Sequence, residues 1–264
     1  MSLGYHIFLG ATVADAAARP LHWVYDPKKL KSYIKDKKDI TFLGKNRCPF
    51  YSIKTGKVSG YNDVAQVMFK SILESKNQSN ILKIFKKNII KNFGPGSTYW
   101  KNLNLRKKYK KIKWTKPMSG PWIHQNILET IKNIRSKKNI NINKKIKDSV
   151  RIFVKKNKSN EYFKDVVSNL KKIIKDVKKP HIQTVKKYGK ACSYPGTFMG
   201  SIHAILNSKN YKSAVIKLIK AGGCNCSRSN FVGAYFAAQN GLRDIPVNWI
   251  KKTIPARNIL KHIS

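Results

Sequence analysis

Gly222-Gly223-Cys224-Asn225-Cys226-Ser227-Arg228 joins two segments of helical apolar spacing, and this pairing constrains the fold more than any other feature of the chain. Before it, Val215, Leu218 and Ile219 mark one helical face; after it, Phe231, Val232, Tyr235 and Phe236 mark another. The expectation is a helix-loop-helix junction. The glycines suit a left-handed helix end, and Ser227 or Asn225 can cap the next helix, leaving its free N–H groups aimed into the loop, where an anion would be welcome. Two thiols, an amide, a hydroxyl and a guanidinium crowd five positions. A tight turn with two half-buried thiols accounts for that spacing equally well.

The same period recurs along most of the chain. Residues 2–18 form a helix rich in small residues, with Gly10, Ala11, Ala14, Ala16, Ala17 and Ala18 open to close approach by neighbours and Pro20 as the stop. Asp26-Pro27 starts a short basic helix. Gly60-Tyr61-Asn62-Asp63 leads into a face of Val64, Val67, Met68, Ile72 and Leu73, with Asp63 in the first turn, where the helix dipole favours an acid. Further helices are expected over 80–93, from Gly120-Pro121-Trp122 onward, and over 146–156, 161–177, 197–206, 211–221 and 227–239, with a last one from Pro246. A low-complexity run of Asn, Ile and Lys at 136–147 reads as a connection. No alternating strand pattern survives this pass. The fold class is therefore all-α, a compact multi-helix orthogonal bundle of about ten helices in one domain spanning residues 1–264.

Charge excludes less than it suggests. Lys and Arg number 55 against 12 Asp and Glu, a formal net charge of +43, which attracts nucleic acid and other polyanions without specificity. Interleaved Tyr99, Trp100, Tyr109 and Trp114 could stack bases. Yet the lysines spread through nearly every polar helix face among Asn and Ile, which favours compositional drift over a dedicated patch. Four dispersed cysteines, Cys48, Cys192, Cys224 and Cys226, do not form a secreted disulfide framework, and C-x-C with scattered histidines argues only weakly for zinc. With neither a signal peptide nor a membrane-spanning run expected, the expected compartment is the cytoplasm or nucleus, away from membranes.

Several motifs in order carry a family resemblance. They are the run from Gly10 through Asp15, Arg19-Pro20-Leu21 and His22-Trp23; Gly60-Tyr61-Asn62-Asp63; Gly94-Pro95; Gly120-Pro121-Trp122; Ala221 to Arg228 with Phe231-Val232-Gly233-Ala234; and Ile245 to Ile250. Together they resemble the ADP-ribosylglycohydrolase family, and within it the J-crystallin and selenoprotein J branch. The likeness covers both ends of the chain and thins in the middle. It implies an all-α domain whose helix ends converge on a cleft for ADP-ribose or an ADP-ribosylated substrate. In active members, two Mg²⁺ ions there activate a water against the glycosidic carbon. Hard cations need oxygen ligands. Where the family has Thr-Asp-Asp, this chain has Tyr61-Asn62-Asp63; where it has two aspartates one residue apart, this chain has Cys224 and Cys226; an acidic position of the first motif is His22. Only Asp63, Ser227 and Asn225 keep oxygen donors at the matching positions, and Asp63, the single carboxylate among them, is the candidate Mg²⁺ ligand.

The resemblance thus implies Asp63, Asp15, Cys224 and Cys226 at the reacting centre, with Asn62, His22, Asn225, Ser227, Arg228 and Trp122 lining the cleft. A degenerate, non-catalytic or altered relative is the leading expectation, followed by an active hydrolase using Asp63, with Asp15 supporting it and the Ser227 helix end anchoring phosphate. Thiol chemistry at Cys224 and Cys226 is a further alternative, since a helix N-terminus and Arg228 would lower a thiol pKa.

Overall fold

The computed structural model describes residues 3–75, 77–102, 117–136 and 161–262. The connection expected at 136–147 and the helix expected at 146–156 fall almost wholly outside these residues, as do Tyr109 and Trp114. The fold is all-α. The described helices are α1 (Leu3–Ala18), α2 (Pro27–Ile34), α3 (Gly60–Glu74), α4 (Gln78–Phe93), α5 (Gln125–Arg135), α6 (Glu161–Lys175), α7 (His181–Tyr188), α8 (Gly196–Leu206), α9 (Tyr211–Ala221), α10 (Asn225–Asn240), α11 (Val247–Lys252) and α12 (Ala256–Leu260). None of them is long and apolar enough to cross a membrane.

The central contact is α1 against α10, the most extensive helix pairing among the described residues. Small residues permit it. A Cβ placed on Gly10 would lie 2.4 Å from the Gly233 carbonyl oxygen, and one on Gly233 would lie 2.4 Å from the Gly10 carbonyl oxygen. The two backbones therefore touch where a side chain would hold them apart. Around this line Leu9, Val13, Leu21, Val215, Leu218, Ile219, Val232, Phe236 and Trp249 form the larger apolar cluster. The Tyr211 hydroxyl donates to the Gly10 carbonyl at 2.6 Å, fastening the start of α9 beneath the same helix. A second cluster, Val67, Ile89, Phe93, Ile123, Leu128 and Ile131, lies where α3, α4 and α5 meet.

Three local features depart from the sequence expectation. Gly120-Pro121-Trp122 does not open a helix: residues 121–124 run without helical structure to His124, the N-cap, and α5 begins at Gln125. A pair of two-residue strands, β1 (Tyr51–Ser52) and β2 (Met118–Ser119), joins in parallel and is too short to show periodicity. At the junction the N-cap position falls to Cys224, because the helix already starts at Asn225; neither Asn225 nor Ser227 caps it from outside.

Candidate functional site

The junction is built on two left-handed glycines. Gly222, at φ 71°, ends α9, and Gly223, at φ 69°, forms an antiparallel bridge with Val24. Its carbonyl accepts from the Trp23 N–H at 2.8 Å, and its N–H donates to the Val24 carbonyl at 2.8 Å. A Cβ on Gly223 would meet the Lys190 carbonyl oxygen at 2.5 Å, so the chain before α8 also presses on this turn. Arg228 is buried and donates to the Gly222 and Lys190 carbonyls; burial lowers its pKa to about 10. Its guanidinium locks the loop and is not held out for an anion. Asn225 is likewise turned inward, donating to the Leu21 carbonyl at 3.2 Å.

Cys224 sits in a ring of aromatic and hydroxyl groups. The Trp23 indole N–H donates to its Sγ at 3.3 Å and the Ser227 hydroxyl at 3.2 Å, while the Tyr61 hydroxyl lies at 3.2 Å and His22 Nε2 at 3.4 Å. His22 Nδ1 is 3.0 Å from the Tyr51 hydroxyl. Trp23 takes a positive φ of 62°, rare for a bulky side chain. Its indole stacks on His22 at 4.2 Å between ring centroids and meets Trp122 edge-on at 5.3 Å. Trp122 thus closes an aromatic cluster. Burial raises the Cys224 thiol pKa against the three hydrogen bonds that favour the thiolate, and burial with the nearby Asp15 charge raises that of Cys226. This corrects the expectation of activated thiols: desolvation outweighs the helix end and Arg228. Burial, with the charge of His124 next, likewise depresses the His22 pKa, so its imidazole is neutral.

Beneath the thiols runs a polar chain. Asp15 accepts from the Ser59 N–H at 2.6 Å, the Ser59 hydroxyl at 2.5 Å and Asn230 Nδ2 at 2.6 Å. Asn230 Oδ1 accepts from Asn62 Nδ2 at 2.8 Å, and Asn62 Oδ1 accepts from the Thr12 hydroxyl at 3.2 Å and Gln66 Nε2 at 2.9 Å. Burial raises the Asp15 pKa to about 6 against the lowering effect of Ser59 and Asn230. Among the described residues, the Cys226 thiol reaches the Asp15 backbone carbonyl alone, at 3.8 Å. Asn230 and Ser59 are neighbours that sequence reasoning did not single out, while Trp23 and Tyr61, quoted there only as members of motifs, turn out to be partners of Cys224. Asn230 alone had a signal, standing one helical turn after Cys226.

Asp63 belongs to a different neighbourhood. Its carboxyl pairs with the Tyr99 hydroxyl, and burial raises its pKa to about 7, the Asp15 charge adding to the rise. With Gln66 and Tyr99 it lines two cavities, of about 410 Å³ toward Phe93 and His262 and about 300 Å³ toward Lys57 and Pro255. A third cavity, of about 470 Å³, opens beyond Trp23. The ten candidate residues thus fall into a thiol and aromatic group (Cys224, His22, Ser227, Trp122), a polar chain (Asp15, Asn62, Cys226), two backbone locks (Asn225, Arg228) and Asp63 beside Tyr99.

A magnesium pair does not fit these donors. Both Asp15 oxygens are taken by protein N–H and O–H groups, Asn62 is engaged at both ends, and two protonated thiols stand where a hard cation needs oxygen. Among the described residues no group of three His, Cys, Asp or Glu side chains is placed to share one ion.

The chain is similar over nearly its whole length to two crystallins of Tripedalia cystophora. Crystallin J1A is 27% identical over 303 aligned residues, covering 96% of this chain and 92% of the relative. Crystallin J1B is 26% identical over 305, covering 97% and 93%. No family model matches the chain.

Proposed function

We propose that this chain is a J-crystallin-like relative of the ADP-ribosylglycohydrolases that keeps the helical scaffold without the dimagnesium chemistry, and so serves as a non-catalytic, structural protein. The observation that carries this reading is the Cys224 thiol: it stands where the resembled family has a metal-binding aspartate, and it is surrounded by Trp23, Tyr61, His22 and Ser227. Those groups are partners for a neutral, polarisable sulfur.

Incubation of the full chain with an ADP-ribosylated peptide and Mg²⁺ tests this. No release of ADP-ribose above the uncatalysed rate is expected, and calorimetry with free ADP-ribose should give no binding heat with or without Mg²⁺. Turnover that requires Mg²⁺ and disappears in Asp63→Asn would overturn the proposal in favour of an active hydrolase. Binding heat without turnover would make the chain a reader of ADP-ribose instead.

A further inference from the structure

The cavity beyond Trp23 differs from the other cavities in its chemistry. Trp23, Tyr25, Tyr33 and Phe50 contribute four aromatic rings to its wall, and Lys29, Lys45 and Arg47 contribute three cations. Its one carboxylate, Asp26, is already engaged as the α2 N-cap, accepting from the N–H groups of Lys28 and Lys29. Tyr25 is 43% exposed and Phe50 37%, so both side chains are partly accessible to solvent. Trp23 holds Phe50 edge-on at 5.5 Å, and the Arg47 guanidinium lies 4.6 Å over the Tyr33 ring. Accessible aromatic rings and cations in one cavity wall are the elements with which proteins hold unpaired bases: the ring stacks on the base and the cations follow the phosphates. An acidic peptide would need only the cations, and a lipid surface would need apolar side chains projecting outward, whereas these rings line a groove.

We propose that the groove formed by Trp23, Tyr25, Phe50, Lys45 and Arg47 is a binding site for a single-stranded nucleic acid segment, with a base stacked on Tyr25 or Phe50 and the flanking phosphates on Lys29, Lys45 and Arg47. Bases in a duplex keep their faces against one another and are not offered this surface. The charge of the rest of the chain, +43 in total, brings any polyanion near; the groove adds a preference for strands that carry bases.

Fluorescence polarisation with the full chain separates these contributions. The probes are a labelled oligothymidine and an abasic oligonucleotide of the same length and charge. The wild type should bind the thymidine strand at least about fivefold more tightly, the lower end of what one stacked base supplies. Tyr25→Ala with Phe50→Ala changes no charge and should erase that preference while leaving the abasic affinity unchanged; Tyr25→Ala alone, at the more exposed ring, should reduce it. Lys45→Gln with Arg47→Gln should weaken both probes and flatten the salt dependence. Equal affinity of the wild type for the two probes would overturn the proposal, as would a preference that survives in the double alanine variant. Displacement of the strand by an equal concentration of thymidine monophosphate would also overturn it, marking a small-ligand pocket instead.

Discussion

Burial pushes the Asp63 carboxyl up from 3.8 to about 7, and this has a measurable sign. A carboxyl whose folded-state pKa is raised from 3.8 to about 7 favours the folded chain in full below pH 3.8 and loses that contribution as pH climbs through about 7. Asp63→Asn keeps an acceptor for Tyr99 and cannot ionise. Its melting temperature should therefore gain on the wild type as pH is raised from about 5 to about 8, by roughly a few °C. A difference that stays constant across this window would show that the carboxyl is not buried as described. The residue scale is also where sequence reasoning was least complete. Cys224, Cys226 and His22 stood out because they break an acidic pattern. Asn230 did not, since its role depends on meeting Asn62 across 168 positions. Trp23 could not be assigned either, because its indole reaches Cys224 through a positive φ that a sequence does not display.

Helices decide their packing through what they leave out. At the α1 and α10 crossing the obstacle to a new Cβ is main chain on both sides, so no change of rotamer can relieve it. Gly233→Ala should destabilise the chain by about 1–3 kcal/mol, as overpacked cores do, with a denaturation midpoint shifted accordingly. An unshifted midpoint would mean that the helices stand farther apart than described. The small residues from Gly10 to Ala18 announced close approach, and the periodic faces announced most helices within a few residues of their ends. What they could not announce was the partner. Nor could the β1 and β2 pair be seen, for two residues carry no pattern, and Trp122, whose ring meets Trp23, lies in the non-helical run ahead of α5.

Over the whole molecule, 55 Lys and Arg face 12 Asp and Glu, so positive charge far exceeds its acidic counterparts. The described residues hold three ion pairs, Lys70 with Glu74 and Asp176 with Lys179 and Lys187, against a formal charge of +43. Self-repulsion of this kind destabilises a compact state and is screened by salt. Raising NaCl from roughly 0.05 to roughly 0.5 M should raise the melting temperature. A fall over that range would mean that local ion pairing outweighs the net field.

The grip of Tyr211, at the start of α9, on Gly10 spans 201 positions, and the pairing of α1 with α10 is longer in range still. During translation, the first helix therefore emerges long before its companion has been made, with a flank of Leu9, Val13 and alanines that has nothing to cover it. Closing a loop of this length is slow, and uncovered apolar surface invites aggregation meanwhile. The apolar flank of α1 thus stays uncovered until residues some 201 positions further along have been made.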